Sequence, residues 1–353
     1  MLTLRDVAAK AGVSPSTVSL VLNGLDEGRI RPALSAHVRE VADELGYVPD
    51  LLARGLRTRK THTIGLLSDR VASVPFASSM LGGAQHIAQN EGFLLLLIDT
   101  DGDPTQEQAA ARSLVQRNVD ALIYASAWHR AVNLPAVPDR IPLIVLDGLP
   151  ADPDMKADWV VPDERGGAEA AVRHLIAAGH SRIGYCGVDD DIPAAHQRFQ
   201  GYLDALSTVG LPFDPSLVVK ASDSTTTAAR PVAAELLSSA DRPTAVFCFG
   251  DQLAFGFYQA AQRLGLDIPR DLSIVGFDNQ HYVADALDPG LTTVQLPHRA
   301  MGEWAARRAI DLMNGNTSPR THHRQECVLV ERGSVGAPGQ GRHAAQRLRA
   351  PGR

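Results

Sequence analysis

The chain has few cysteines. Cys186, Cys248 and Cys327 are the only three in 353 residues, and no two stand at ligand-pair spacing. An odd, scattered set argues against a disulfide framework and predicts reduced thiols in the cytosol. Long apolar runs are missing too. The greasiest stretch, Phe93–Ile98, falls far short of the roughly 20 residues of a membrane-spanning helix and suits a buried strand. The first ten residues mix Arg5, Asp6 and Lys10 with small apolar side chains, unlike a secretory leader. A nucleophile elbow, a phosphate loop and a metal motif are all lacking. Gly82-Gly83 and Gly166-Gly167 read as helix-associated glycines, and the His322, His323, Cys327 group reads as strand-end residues without a distant partner motif. The expectation is a cytoplasmic protein that is not an enzyme and has no cofactor, metal or membrane anchor.

What is present is an uneven charge distribution. The net charge is -6, yet residues 1–60 hold nine Lys/Arg against seven Asp/Glu, residues 61–335 hold twenty-one against thirty-three, and the last eighteen hold four Arg and no acid. A mildly basic small segment precedes an acidic large one, which suits a DNA-contacting headpiece on a body that avoids DNA.

The first sixty residues carry three helix signatures. Thr3 with Asp6 three residues on forms a capping box, Leu4, Val7, Ala8 and Ala11 make an apolar stripe, and Gly12 ends the helix. Ser14 is an N-cap and Pro15 a first-turn residue, with Val18, Val21 and Leu22 facing inward and Asn23-Gly24 as a stop. Pro32 opens a third helix lined by Leu34, Val38, Val41 and Leu45 and closed by Gly46. Two short helices joined by a glycine-bearing turn are a helix-turn-helix. Its second helix turns Pro15, Ser16, Ser19 and Leu20 outward. Ser16 is suited to a base edge, Thr17 and Ser19 to phosphate, and Leu20 to a thymine methyl. On spacing alone, a protein-interaction module remains the alternative.

The run Thr3-Leu4-Arg5-Asp6-Val7-Ala8-Ala9-Lys10-Ala11-Gly12-Val13-Ser14, then Thr17-Val18-Ser19, Val21-Leu22-Asn23-Gly24, Glu44-Leu45-Gly46-Tyr47-Val48-Pro49 and Ala53-Arg54-Gly55-Leu56-Arg57, resembles the headpiece of the lactose-repressor/galactose-repressor family of bacterial transcriptional regulators. The resemblance implies a DNA-facing surface built by Thr3, Ser14, Pro15, Ser16, Thr17, Ser19, Leu20, Asn23 and Tyr47. It also implies a hinge helix over 49–60 in which Leu56, supported by Ala53, wedges into the minor groove while Arg54 and Arg57 meet phosphates. A helix of about eight residues with Gly55 inside it is unstable alone in water, so the hinge is expected to fold on DNA. Leu20 and Asp50 depart from the residues usual in that family, so base preference at Leu20 does not carry over.

From residue 61 strand and helix patterns alternate, which predicts parallel sheets covered by helices on both faces. Polar residues at strand ends, namely Ser68, Asp69, Asp99, Asp147, Asp251 and Asp278, outline a cleft, because ligands bind outside the carboxyl ends of such strands. The runs Arg198-Phe199-Gln200-Gly201-Tyr202, Pro243–Phe247, Gly265–Asp278 and Leu291–Val294 extend the resemblance. They imply a two-lobed, periplasmic-binding-protein-like effector domain over 61–335, with a near lobe of 62–161 and 291–320 and a distal lobe of 162–290. Carried over, Arg198 and Asp278 are the leading effector contacts, with Asp69, Phe76 and Asp147 secondary. Gly250 stands where many sugar-sensing relatives have asparagine. The expected partners are double-stranded operator DNA, a small effector (sugar, polyol or nucleoside) and a second copy of the chain, and residues 336–353 are expected to be a disordered tail. A transporter's soluble sugar-binding protein shares the fold but has no use for a headpiece.

Overall fold

The computed structural model describes residues 2–47, 60–316 and 319–339. Its contacts divide the chain into two units, Met1–Thr61 and His62–Arg353. The expected hinge residues Ala53, Arg54, Leu56 and Arg57 lie outside the described residues.

In the first unit, α1 (Leu4–Ala11), α2 (Pro15–Leu22) and α3 (Pro32–Leu45) follow the capping signals. The Asp6 carboxylate accepts from the Thr3 amide at 2.7 Å and the Thr3 hydroxyl at 2.8 Å. Gly12 and Gly46 end their helices with φ of 66° and 63°, a region where a side chain would be strained. Val7, Ala8, Ala11, Val18, Val21, Val38, Val41 and Ala42 make one small core. The loop between α2 and α3 is closed by Arg39, whose Nη2 reaches both Asp26 oxygens at 3.0 and 2.8 Å.

The second unit holds two six-stranded sheets. The near sheet runs β11-β5-β4-β3-β1-β2, from β1 (Thr63–Ser68), β2 (Leu94–Asp99), β3 (Ala121–Val132), β4 (Leu143–Pro150), β5 (Asp158–Pro162) and β11 (His322–Gln325). The distal sheet runs β12-β10-β9-β8-β6-β7, from β6 (Ile183–Val188), β7 (Val218–Ala221), β8 (Ala245–Cys248), β9 (Ser273–Asp278), β10 (Thr292–Gln295) and β12 (Val328–Val330). All pairings are parallel except β10 with β12. Central strands such as β6 are buried throughout, as expected where helices cover both faces. Helices α4 (Ser78–Asn90), α5 (Pro104–Gln116) and α11 (His298–Met313) serve the near sheet. Helices α6 (Glu164–Ala177), α7 (Pro193–Thr208), α8 (Thr226–Ser238), α9 (Asp251–Leu264) and the short α10 (His281–Ala284) serve the distal one.

The chain passes between lobes three times: from β5 into α6, from β10 into α11, and from β11 into β12. Two expectations change here. Residues 292–295 belong to the distal sheet, because Thr293 pairs with Gly276 and Val294 with Phe277 in parallel register. The return to the near lobe therefore begins after Gln295 and not at 291. Residues 336–339, read from composition as the start of a disordered tail, dock on the distal lobe. The Gly336 carbonyl lies 2.9 Å from His180 Nε2, and its amide donates to Ser273 Oγ at 3.1 Å. Residues 340–353 lie outside the described set.

In the near lobe α4 and α11 approach backbone to backbone. A Cβ on Gly83 would lie 2.1 Å from the Arg299 carbonyl oxygen, and one on Gly302 would lie 2.0 Å from that of Met80. A Cβ on the neighbouring Gly82 would meet only the Arg299 side chain, at 3.8 Å. Overpacking of this kind costs about 1–3 kcal/mol, against the roughly 1 kcal/mol that alanine otherwise gains over glycine in a helix. Gly302→Ala should therefore lower the urea midpoint and Gly82→Ala should hold or raise it. Equal behaviour of the two in urea unfolding would refute the close packing.

Candidate functional site

The headpiece presents α2 as its polar face. Pro15 and Ser16 are exposed, and Val18 and Val21 on the opposite side are buried. Ser14 Oγ accepts from the Thr17 amide at 3.1 Å and sits 2.9 Å from the Thr17 hydroxyl. Asn23 Nδ2 donates to the Ser19 carbonyl at 2.6 Å. Four of the expected DNA-facing residues thus brace the ends of the helix, while Ser16 makes no side-chain hydrogen bond among the described residues and is the one left uncommitted. Leu20 is half-buried, and Tyr47 packs against the core where α3 ends. Thr3 caps α1. The surface suits shallow polar contact with a duplex.

The second unit holds a cavity of about 480 Å³ between the carboxyl ends of the strands of its two sheets. That volume lies within the usual range for small-molecule sites. At its centre is Arg198, on α7 and 4% exposed at the side chain. Its Nε donates to Glu164 Oε2 at 2.6 Å, and its Nη1 donates to the Phe249 carbonyl and to Asp278 Oδ1 at 3.3 Å. The guanidinium carbon lies 3.7 Å from the Phe277 ring centroid and 4.4 Å from that of Phe249. Burial alone would raise the Glu164 carboxyl, but Arg198 and His129 outweigh it and hold it at about 2. Burial raises Asp278, with Arg198 pulling only partly against it.

On the near-lobe side, burial likewise raises Asp147, opposed by His298. His298 Nδ1 lies 2.9 Å from the Phe76 carbonyl and its Nε2 lies 3.7 Å from Asp147 Oδ2. Burial lowers the His298 ring, but Asp147 outweighs it and the net shift is upward. Phe76 stacks on the same ring at 6.1 Å between centroids. Asp147 and Asp278 occupy left-handed backbone positions, φ 60° and 104°, which cost energy and cluster at functional sites.

Four of the five expected effector residues, Phe76, Asp147, Arg198 and Asp278, line this cavity together. Asp69 does not. It is spent on a bulge in β3, where the register with β4 shifts between Ala125 and Arg130. Its carboxylate takes Arg130 at 2.6 Å, the Ser126 hydroxyl at 3.1 Å and the Ala127 amide at 2.8 Å. Asp69 thereby sets the bulge that carries Trp128 and His129 to the cavity wall. Asp251, fully buried, accepts from the Gln280 amide at 2.6 Å and the Thr293 hydroxyl at 2.5 Å, and so braces the loop after β9. Gly250 leaves room beside Asp278, whose Oδ2 accepts from Gln280 Nε2 at 3.0 Å.

Sequence reasoning missed Trp128, His129, Glu164, Gln280, Tyr282 and His298, all of which line the cavity. Glu164 and His298 each stand just after a crossover, beside Pro162-Asp163 and Pro297, and that position was the available signal. His322 and His323 instead stack on Trp159 and Trp304, at 4.6 and 5.4 Å between centroids. No cluster of three or more possible metal ligands occurs among the described residues.

Glu164 has a carboxyl near 2 in the fold against an ordinary value of 4.5, so its contribution is full above pH 4.5 and is lost as pH falls toward 2. Glu164→Gln should cost about 3 kcal/mol at neutral pH, because the buried Arg198 loses its closest carboxylate, and the cost should shrink as pH drops through that window. Urea unfolding of both proteins at pH 7, 4.5 and 3 checks this, and a cost that does not change with pH would contradict it.

Residues 3–50 match the profile of bacterial regulatory proteins of the lacI family, and residues 172–335 match that of a periplasmic binding protein-like domain. The chain is 31% identical over 342 residues to the HTH-type transcriptional repressor CytR of Escherichia coli K12, covering 95% of this chain and 96% of that one. A solved complex of the transcriptional regulator CelR with cellobiose is similar at 30% identity and a TM-score of 0.67, covering 95% of this chain and all of that one. The lac repressor dimer bound to operator and the anti-inducer ONPF shares the fold, with a TM-score of 0.76 at 23% identity over 95% of this chain and 99% of that one. Helix-turn-helix headpiece and two-lobed periplasmic binding protein-like domain together make this chain a member of the lacI family of bacterial regulatory proteins, whose relatives are transcriptional repressors and not enzymes.

Proposed function

We propose that the chain represses transcription by binding a palindromic operator as a homodimer, under the control of a small polar effector such as a sugar, polyol or nucleoside. The cavity carries this reading. It combines aromatic faces (Phe76, Trp128, Phe249 and Tyr282) with carboxylates and a fixed arginine fork, a mixture that suits rings bearing hydroxyl or amino groups. The similar regulator CelR was solved in complex with cellobiose, a molecule built of hydroxyl-bearing rings. An effector can move the DNA equilibrium only by its differential affinity for two lobe arrangements. The wall contributed by both lobes supplies that difference, since closure and opening change the contacts it offers.

Dimerisation has a surface to use. β2 is an edge strand of the near sheet and exposes Leu94 and Leu97, at 61% and 39%. An apolar sheet edge left open is a pairing site, and α4 precedes it in the chain. A two-fold dimer matches a palindromic site in geometry. The hinge assigned by resemblance, with Leu56 as its minor-groove wedge, completes the DNA reading.

Two outcomes are expected. Leu94→Lys with Leu97→Asp should shift the protein from dimer to monomer in light scattering; a dimer of undiminished stability would place the interface elsewhere. In fluorescence anisotropy on operator fragments, Leu56→Ala should weaken specific binding by about tenfold or more, and the logarithm of affinity should fall steeply with the logarithm of salt. A flat salt dependence would refute phosphate contact.

A further inference from the structure

The near-lobe wall of the effector cavity contains polar atoms without partners. Asp147 Oδ1, His298 Nε2 and both ring nitrogens of His129 are buried and make no hydrogen bond among the described residues. All three side chains line the cavity, and the residues are 2%, 3% and 1% exposed. A buried polar atom left unpaired carries its whole desolvation penalty, so a fold that keeps several in one wall has a use for them.

The surrounding structure holds these atoms in place. The Asp69-braced bulge carries His129, and a left-handed backbone at φ 60° carries Asp147. The Phe76 carbonyl orients His298 by accepting from Nδ1, which leaves Nε2 facing Asp147 across 3.7 Å. That gap is too long for a hydrogen bond and wide enough for one ligand atom bonded to both groups. Charge narrows the occupant further. Asp147, Glu164 and Asp278 stand in the wall, Asp189, Asp190 and Asp223 add exposed carboxylates, and Arg198 is the only Arg or Lys among the lining residues. Arg198 is already committed to Glu164 and Asp278. An anionic ligand would meet carboxylates and no uncommitted guanidinium or ammonium group.

We propose that His129, Asp147 and His298 form an anchor subsite, beside the Arg198 network and meeting it only where His129 Nδ1 faces Glu164 at 3.8 Å, that clasps a hydroxyl or amino group of an effector bearing no negative charge. This rests on the effector reading above and adds to it the anchoring residues and the charge class of the ligand.

The test uses the full chain in thermal-shift and calorimetric titrations. The probes are D-ribose, cellobiose, D-glucosamine and adenosine, each beside an anionic counterpart: ribose 5-phosphate, cellobionate, glucosamine 6-phosphate and adenosine monophosphate. A bound probe raises the melting temperature. At least one parent compound should do so, and its counterpart should bind about a hundredfold more weakly because of repulsion by nearby carboxylates. His129→Leu should weaken the bound parent about tenfold or more. Asp147→Asn should narrow the gap between parent and anionic counterpart. An anionic counterpart that binds as well as its parent overturns the charge class. Parent binding unchanged in His129→Leu and His298→Gln overturns the subsite while leaving the effector reading intact. If no probe of either kind binds, the effector reading fails and the subsite with it.

Discussion

The buried cation Arg198 organises the cleft of the two-lobed domain. Arg198 projects from α7 into the space between strand ends, where its guanidinium meets Glu164 at the start of α6, the carbonyl of Phe249 after β8 and Asp278 at the end of β9. The rings of Phe249 and Phe277 flank it. Taking a charge this deep is costly unless carboxylates and carbonyls surround it, so the contact fixes where these segments end relative to one another. Glu164 also faces His129 from the near lobe, at 3.8 Å. The cation network therefore reaches across the cleft through one carboxylate, and whatever enters the cavity has to fit around it.

Around that network the cavity is divided by chemistry. The distal wall is internally satisfied: Arg198, Glu164, Asp278 and Gln280 bond to one another. The near wall is unsatisfied, with His129, His298 and Asp147 each holding an unpartnered polar atom. A satisfied wall orients, and an unsatisfied wall waits for a ligand to supply the missing partner. This asymmetry offers a physical route by which a ligand could favour one arrangement of lobes over another.

Much of this architecture was legible from one sequence. Glycine stops, proline starts and the Thr3–Asp6 box gave the headpiece helices to within a residue or two, because caps are local and decided by side chains a few positions apart. The near-continuous apolar runs of the central strands gave parallel sheets for a similar reason. Less legible were the lobe boundary at Gln295 and the docking of residues 336–339, since each depends on pairing with strands or side chains far along the chain. Of the expected effector residues, Asp69 stands away from the cavity lining for the same cause: a carboxylate at a strand end looks alike in sequence whether it faces a cavity or braces a bulge.

What the sequence by itself determined is therefore the kind of protein: a capped helix-turn-helix trio joined to an alternating α/β domain, with Arg198, Asp147 and Asp278 at one cavity. These follow from local propensity, periodicity and motif, which act over a few residues. What only the tertiary structure decided is which groups remain unpaired. His129, Glu164 and His298 come from separate lobes or elements, at 35 to 169 residues' separation in the numbering, and burial and partnership exist only once those elements have met. Hydrogen-bond satisfaction belongs to the folded arrangement as a whole, so no stretch of the chain read alone could have revealed it.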